Sequence, residues 1–215
     1  MTWKEINGVI IKDGFYLEPV APHKIAFDTY TLTGKILNDR GEKYTEKKPL
    51  LLPLMRGGSQ MFLYMSGGFR KLLCTKQGEE IDYVPIKISR YGTGTIGLEG
   101  KPKVDEIDIE QTLEHLKRHN EAIIIDDIFD RGESTDTVQK MLLETGKEIL
   151  IATPYRKPYA NRTSTKVNYF VEDFNKKTIE EKEYKPWVVF PWEVDDHDPD
   201  LWKRLFPQFY YSFYE

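Results

Sequence analysis

Acidic side chains crowd the middle of the chain, directly after the apolar run Ala122–Ile125. Four acids stand within eight residues, and they are Asp126, Asp127, Asp130 and Glu133. At ~5 Å and an effective dielectric constant of about 20, each pair of like charges costs roughly 3 kcal/mol. We therefore expect these carboxylates to accept hydrogen bonds from sugar hydroxyls and to lie near a divalent cation such as magnesium (Mg²⁺).

A short polar loop follows the acids and leads into a predicted helix. The loop is Arg131, Gly132, Glu133, Ser134 and Thr135, and helical spacing begins at Val138, with Gly146 placed to end the helix. Unpaired backbone N–H groups and the positive end of the helix dipole make such a loop an anion site. Beside the acids, this predicts a sugar phosphate as the ligand. Two alternatives are acids that merely cap a helix in a Rossmann-like fold and the acidic cluster of a receiver-type domain.

The elements around this segment predict an α/β fold. Ala122–Ile125 is typical of a strand buried on both faces of a parallel sheet, whose carboxyl edge is where ligands bind. Helical spacing is predicted around Met61–Phe69 and over Ile107–His119. In the second helix Leu113 and Leu116 should face the core, whereas His115 and His119 should lie at the surface. Further strands are predicted at Leu50–Met55, Ile81–Ile88, Glu148–Ala152 and Val167–Val171.

The first 48 residues carry weaker signals. Strands are predicted at Gly8–Ile11 and Phe15–Val20, around a turn at Asp13-Gly14. The segment from Pro22 to Arg40 permits a helix, but its run of threonines favours strands almost as strongly.

Three further segments could bind ligands, and each has a purely structural alternative. Arg56-Gly57-Gly58-Ser59 follows a strand and could bring backbone N–H groups and a positive charge to an anion, or it could be a tight turn. The small, polar residues 89–97 predict either a mobile loop over the site or a hairpin. Pro186–Glu193 contains two tryptophans that could stack on a ligand or pack in the core. The acidic run 195–200 favours a solvated turn over a metal site.

The acidic segment resembles the PRPP-binding signature of the type I phosphoribosyltransferases. The shared pattern is four apolar residues, two acids, two spacers, Asp, any residue, Gly, any residue, and Ser or Thr; here Arg131 stands where Thr or Ser is usual, and Ser134 replaces the commoner Thr. The resemblance implies that Asp126 and Asp127 hold the ribose hydroxyls and neighbour Mg²⁺. It also implies that Asp130 is the general acid/base beside purine N7. Residues implied to cradle the 5-phosphate are Arg131, Gly132, Glu133, Ser134 and Thr135.

The other motifs resemble those of hypoxanthine-guanine and xanthine-guanine phosphoribosyltransferases, in the same order. The resemblance implies that Arg56 and Gly57 bind pyrophosphate, and that Ser89 and Tyr91 belong to the flexible loop closing over the reacting centre. Lys157 would donate to the O6 atom of the base, and the adjacent Arg156 could replace it. The remaining residues implied are Trp187 (stacking on the base), Val188 (backbone contacts to the base) and Glu193 (near metal and pyrophosphate).

Together these resemblances imply a parallel sheet flanked by helices, with a small hood. A single phosphoribosyltransferase domain is predicted over residues 1–215, with a core over about 49–155 and a hood formed by the N-terminal segment and about 156–215. The implied reaction is Mg²⁺-dependent transfer of 5-phosphoribosyl from PRPP to a 6-oxopurine (hypoxanthine, guanine or xanthine), as in purine salvage. Alternatives are another base, such as adenine or a pyrimidine, or a non-catalytic PRPP-binding regulator.

Composition narrows the other functions. The 215 residues carry a net charge of −4 and no basic block, which argues against a nucleic-acid partner. No signal-peptide core is evident, and the longest apolar run, Leu50–Met55, is too short to span a membrane. The lone Cys74 fits a reducing compartment, so we expect a cytoplasmic protein. The aromatic C-terminal segment should cover the core or form an interface of a homo-oligomer.

Overall fold

The structure is a computed structural model that describes residues 4–55, 57–74, 80–89, 103–104, 106–193 and 203–206. The chain divides into two compact units. The larger unit is Phe27–Asp173, which includes the predicted core and extends it at both ends. The smaller unit combines Met1–Ala26 with Phe174–Glu215.

Helices and strands alternate along the larger unit, whereas the smaller unit consists mostly of strands. The helices are α1 (Pro22–Glu46), α2 (Gly57–Leu73), α3 (Glu106–Leu116) and α4 (Glu133–Leu143). The strands are β1 (Lys4–Ile6), β2 (Val9–Lys12), β3 (Phe15–Pro19), β4 (Leu50–Met55), β5 (Ile86–Ser89), β6 (Lys103–Val104), β7 (Glu121–Ile125), β8 (Ile128–Phe129), β9 (Glu148–Ala152), β10 (Tyr155–Arg156), β11 (Glu172–Asp173), β12 (Lys177–Ile179) and β13 (Lys182–Val189).

The main sheet of the larger unit has the order β6-β5-β4-β7-β9. Strands β5, β4, β7 and β9 run parallel, and β6 pairs antiparallel with β5. Strands β4 and β7 lie in the middle of the sheet, so their side chains are buried on both faces. Ile124 of β7 belongs to the core that includes Leu116 of α3 and Val138 of α4. Helix α2 also packs against β4 and β7. The predicted parallel α/β sheet flanked by helices is confirmed.

Helix α1 decides between the two alternatives for the N-terminal region in favour of a helix. Its Leu32 and Ile36 are buried at helical spacing. The threonines lower the helix propensity of this segment, but their hydroxyl groups find partners in the folded structure. Thr33 Oγ1 donates a hydrogen bond to Thr29 O at 2.9 Å, and Thr29 Oγ1 lies 3.6 Å from Met61 Sδ on α2. Packing against α2 therefore outweighs the intrinsic preference of this segment for strands.

The strand predicted at Ile81–Ile88 is shorter than expected, and the prediction of a strand at Val167–Val171 is wrong. Residues 81–85 precede β5 and form only an isolated bridge between Tyr83 and Leu51, because Pro85 has no N–H to donate to a ladder. Residues 167–171 form only a bridge between Tyr169 and Ala152. There the side-chain oxygen of Asn168 accepts the N–H of Ile151 at 2.8 Å, which displaces a backbone partner.

The prediction that His119 lies at the surface is wrong. The residue is 7 % exposed. Its Nδ1 lies 2.8 Å from Lys48 O and its Nε2 lies 3.0 Å from Asp82 Oδ2. The ring therefore ties the end of α3 to the segments before β4 and β5, and two polar partners make its burial tolerable.

A buried charge network anchors the amino-terminal edge of the main sheet. Glu121, the first residue of β7, is 2 % exposed and accepts hydrogen bonds from Tyr44, Arg40 (2.9 Å) and Lys43 (2.6 Å) of α1. Arg40 and Lys43 also bind Glu148, the first residue of β9. The network joins α1 to the adjacent strands β7 and β9 at the edge opposite the acidic segment.

Two smaller sheets complete the described fold. The order β11-β10-β8 forms a parallel sheet in the larger unit, just beyond the carboxyl ends of β7 and β9. The smaller unit contains the sheet β1-β2-β3-β13-β12, in which β3 and β13 are parallel. Its turn at Asp13-Gly14 is confirmed, with φ of 49° and 82°. None of the helices in the described ranges has the length and apolar composition that a membrane-spanning helix requires.

Candidate active site

The acidic turn lies at the carboxyl end of β7 and is held by its own backbone. The N–H of Asp126 donates to Ala152 O of β9 at 3.2 Å, which extends the ladder by one residue. Asp126 Oδ1 then accepts the N–H of Asp127 at 3.0 Å, and Asp127 Oδ1 accepts the N–H of Ile128 at 2.7 Å. The carboxylates therefore fold back over the turn at the sheet edge where ligands bind.

The two glycines of the Arg56–Ser59 segment allow α2 to begin against this turn. A Cβ added to Gly57 would lie 1.8 Å from Oδ2 of Asp127, and one added to Gly58 would lie 2.2 Å from Ile125 O. Neither position therefore has room for the side chain of another residue. Helix α2 begins at Gly57, so the second glycine belongs to a first helical turn rather than to a loop or a tight turn.

The surroundings of the half-buried Asp127 raise the pKa of its carboxyl group. Desolvation is the larger cause and repulsion from Asp126 the smaller one, and together they raise the pKa of Asp127 to about 8. The backbone hydrogen bond from Ile128 opposes this shift but does not cancel it. A strongly raised pKa beside a second carboxylate marks a candidate functional site.

Helix α4 begins at the loop that was predicted to bind phosphate. Its N-cap is Gly132, in the left-handed region at φ 77°, and glycine has no side chain to cap the helix. Thr135 instead turns its hydroxyl to Gly132 O at 3.0 Å. A cavity of about 210 Å³ opens at this end of the helix and is lined by Asp126, Ile128, Phe129, Asp130, Arg131, Gly132, Ser134 and Thr135. One concave surface thus combines acids with a helix N-terminus.

The two basic candidates for the base pocket have different partners. Lys157 Nζ lies 3.1 Å from Asp130 Oδ2, with the lysine side chain 12 % exposed and the aspartate 42 %. Arg156 forms an ion pair with Asp173 and places its guanidinium carbon 3.5 Å from the centre of the Phe170 ring. Lys157 therefore points to the acidic turn, whereas Arg156 is engaged by the β10–β11 pair.

The remaining base-pocket candidates belong to the smaller unit. Trp187 and Val188 lie on β13; Trp187 is 45 % exposed and packs edge-on against Phe15 with ring centroids 5.5 Å apart, whereas Val188 is buried. Glu193 accepts the N–H of Phe190 at 2.9 Å.

Some predicted residues lie outside the described part of the chain. These are Arg56, Tyr91 and the side chain of Ser89, whose backbone ends β5. The choice between loop and hairpin for residues 90–97 also lies outside it.

Sequence reasoning missed a polar segment that contacts the phosphate loop. Asn161 and Thr163 lie against Gly132, and Thr165 donates a hydrogen bond to buried Asp136 at 2.7 Å. The segment has no periodicity and no motif. Its density of Asn, Thr and Ser after Pro158 indicates only a turn.

The donor set suits magnesium in one specific way. Within the described residues, no group of three or more His, Cys, Asp or Glu side chains is arranged to hold a metal ion. Asp126 and Asp127 offer carboxylates at one turn. Mg²⁺ commonly binds through one or two carboxylates together with substrate phosphates and water, and the residues present fit that mode.

Comparisons with known proteins agree with this architecture. A purine phosphoribosyltransferase from Pyrococcus horikoshii is 19% identical with a TM-score of 0.52, covering 82% of this chain and 93% of that one. A hypothetical protein from Neisseria gonorrhoeae with bound ppGpp is 16% identical with a TM-score of 0.60, covering 88% and 94%. A xanthine-guanine-hypoxanthine phosphoribosyltransferase from Helicobacter pylori is 20% identical with a TM-score of 0.51, covering 86% and 97%.

These structural likenesses, at such low identity, concern the fold. No sequence among the curated proteins matches the chain significantly. The model of the phosphoribosyl transferase domain family matches residues 22–197, which is most of the chain. The chain therefore belongs to the phosphoribosyl transferase domain family, and it is a phosphoribosyltransferase.

Proposed function

We propose that this phosphoribosyltransferase transfers the 5-phosphoribosyl group of PRPP to a nitrogen of a 6-oxopurine, releasing pyrophosphate. One observation carries the proposal: the glycine-capped N-terminus of α4 opens into the same cavity as Asp126 and Asp130. A ligand that matches that cavity presents an anionic group to the helix and hydroxyl or cationic groups to the acids. A ribose 5-phosphate has that polarity.

The 5-phosphate would bind the loop at the start of α4. Backbone N–H groups of the first helical turn have no partner within the helix, so they can donate to phosphate oxygens. Arg131 contributes positive charge at the mouth, although Thr or Ser is usual there in the family. The residues proposed to cradle the phosphate are Arg131, Gly132, Glu133, Ser134 and Thr135.

Asp126 and Asp127 would bind the ribose hydroxyls and hold Mg²⁺. The raised pKa of Asp127 supports this role, since the carboxyl is poised to exchange a proton for a cation. When bound, Mg²⁺ would neutralise charge on the pyrophosphate leaving group. The acids themselves would place fixed negative charge beside a ribose that gains positive character as the glycosidic bond breaks.

Asp130 and Lys157 would act on the base. Asp130 is more exposed than its partner and lies in the cavity wall, so its carboxylate can accept a proton from a purine nitrogen. Lys157 would donate to O6. Two of the similar structures are named as purine phosphoribosyltransferases, which supports a purine as the substrate of this protein. The ion pair between Arg156 and Asp173 supports Lys157 as the O6 donor, because Arg156 already has a partner.

The other roles rest on the resemblance of motifs. Arg56 and Gly57 would bind pyrophosphate, with Ser89 and Tyr91 in the loop that closes over it. In the smaller unit, Trp187 would stack on the base, Val188 would offer backbone contacts and Glu193 would approach the metal. Purine salvage in the cytoplasm by a homo-oligomer is the setting that we propose.

A panel of bases tests the proposal. Purified protein is mixed with PRPP, Mg²⁺ and one of hypoxanthine, guanine, xanthine, adenine or uracil, and pyrophosphate release is measured. We expect turnover with at least one 6-oxopurine and at least tenfold lower kcat/KM with adenine, because losing one charged hydrogen bond costs about 1.5–3 kcal/mol. A preference for adenine or uracil would overturn the base assignment.

The metal requirement is tested separately by calorimetry. PRPP should bind well only with Mg²⁺ present, because the acidic turn otherwise faces a polyanion. Equal affinity in the presence of a chelator would contradict the roles of Asp126 and Asp127.

A further inference from the structure

A polar segment crosses the proposed phosphate loop and is hydrogen-bonded to it and to the residues on either side of it. This crossing segment is Lys157–Thr165. At its start, the N–H of Lys157 donates to Phe129 O at 2.9 Å, and in its middle the N–H of Arg162 donates to Arg131 O at 2.9 Å. Because both acceptors are backbone atoms of the turn and loop, the segment constrains their path rather than their side chains.

The centre of the crossing segment packs directly on Gly132. A Cβ at that glycine would lie 2.9 Å from Thr163 Oγ1 and 3.0 Å from Asn161 Oδ1, and 2.6 Å from Phe129 Cζ on another side. The glycine is therefore enclosed as well as left-handed. Both conditions restrict the backbone of the loop at the residue where α4 begins.

Asn161 and Thr163 are themselves rigid. Asn161 Oδ1 accepts the N–H of Thr163 at 2.9 Å and its hydroxyl at 3.0 Å, and Asn161 Nδ2 donates to Thr165 O at 3.1 Å. A side chain with three hydrogen bonds to its own segment cannot swing away when the phosphate loop shifts. The contact surface offered to Gly132 is therefore preformed.

The end of the crossing segment is joined to the first turns of α4. The hydroxyl of Thr165 donates to Asp136 Oδ1 at 2.7 Å, and Lys140 Nζ lies 2.8 Å from Asp136 Oδ2. Burial raises the pKa of Asp136, but the bonds from Lys140 and Thr165 outweigh it, so the pKa is lowered and the acid stays charged. The hydrogen bond between Thr165 and Asp136 therefore fixes the direction from which α4 meets the cavity.

We infer that Asn161, Thr163 and Thr165 are positioning residues for the 5-phosphate of PRPP, acting through the loop and helix rather than touching the substrate. The inference rests on the proposed function, because it takes the loop at α4 as the phosphate site. It predicts a specific defect: weaker binding of 5-phosphorylated ligands with normal handling of the base.

The experiment compares Thr163→Val and Asn161→Ala with two controls. Thr163→Ser keeps the hydroxyl and should behave as the wild type. Ser164→Ala changes the exposed neighbour on the same segment and should do so too. Steady-state kinetics give KM for PRPP, KM for the base and kcat. Because each test variant removes one or more hydrogen bonds, we expect a roughly five- to tenfold higher KM for PRPP, with the other two constants within about twofold.

A binding experiment separates this inference from the proposed function. The affinities for inosine 5′-monophosphate and for inosine are measured by calorimetry. Both test variants should weaken the monophosphate roughly five- to tenfold while leaving inosine unchanged, a result that remains readable even if the wild type uses no PRPP. Equal losses for both ligands, losses reproduced by Thr163→Ser, or no loss at all would overturn the inference. If Asn161→Ala does not fold, the comparison of Thr163→Val with Thr163→Ser is sufficient to test the inference.

Discussion

The ammonium group of Lys157 lies 3.1 Å from the carboxylate of Asp130, so the two residues proposed to meet the neighbouring O6 and N7 atoms of the base contact each other. In the proposed roles, the base would turn its O6/N7 edge to this pair, with O6 toward Lys157 and N7 toward Asp130. A purine bound in this way would exchange the one charged hydrogen bond of the pair for two bonds to the base. Adenine, with an amino donor at that position, could not make the exchange.

Asp130→Asn should lower kcat and preserve affinity for PRPP. The amide is nearly isosteric but cannot exchange a proton with the base, and a positioned acid/base contributes roughly 10²–10⁴-fold. Single-turnover kinetics and PRPP calorimetry check the two halves. Unchanged turnover, or loss of PRPP binding in place of turnover, would show that the role is misassigned.

Lys157→Ala should reduce kcat/KM for hypoxanthine or guanine by roughly ten- to a hundredfold and shrink the preference over adenine. Arg156→Ala is the matched control, because that guanidinium is bound by Asp173 and stacked on Phe170. Base-competition assays measure the preference. A preference that survives the first change and disappears with the second would move the O6 donor to Arg156.

Gly57→Ala should disrupt the acidic turn, since the new Cβ would overlap the carboxylate of Asp127. Overpacking of this kind costs about 1–3 kcal/mol of unfolding free energy, and PRPP binding should fall with it. Gly67→Ala lies in the interior of the same helix with nothing within 4 Å of its Cβ. That control should instead stabilise the protein by about 0.5–1 kcal/mol. Denaturant unfolding compares them, and equal effects would contradict the close approach of α2.

Stability at acid pH should depend on Glu148. Hydrogen bonds from Arg40 and then Lys43 lower the pKa of this carboxyl to about 2. A group whose pKa is lower when folded contributes stability that is present above its unfolded pKa, near 4.5, and lost as the pH falls toward 2. Glu148→Gln should therefore be less stable than the wild type at pH 6, and the difference should vanish by about pH 2.

Thermal unfolding from pH 2 to pH 7 measures this difference. Glu144→Gln, a change at an exposed acid of the same unit, is the control and should track the wild type throughout. A constant gap between Glu148→Gln and the wild type across the range would mean that the ion pairs with α1 add no pH-dependent stability.

Local sequence determined the centre of this protein because the relevant signals are short-range. Four apolar residues before Asp126 specify a strand buried on both faces, and Gly132 permits a turn that few other residues tolerate. The order of acids, glycine and hydroxyls then predicts which atoms meet at the start of α4. The cavity brings together Asp126, Asp130 and Gly132 as that order predicts.

Tertiary structure alone decided the features that depend on distant partners. The threonines of α1 favour strands locally, yet Thr29 and Thr33 are helical because α2 packs beside them. His119 is buried because Lys48 and Asp82 satisfy its ring nitrogens. No local pattern signals such pairings.

The site itself shows the same division. Gly57 is needed because Asp127, seventy residues later, occupies the space of its side chain. Asn161 and Thr163 reach Gly132 only once β10 lies beside β8. Sequence thus determined which chemical groups the protein carries and in what order, whereas long-range packing decided which of them touch, because contact energies depend on neighbours that the chain meets only after it folds.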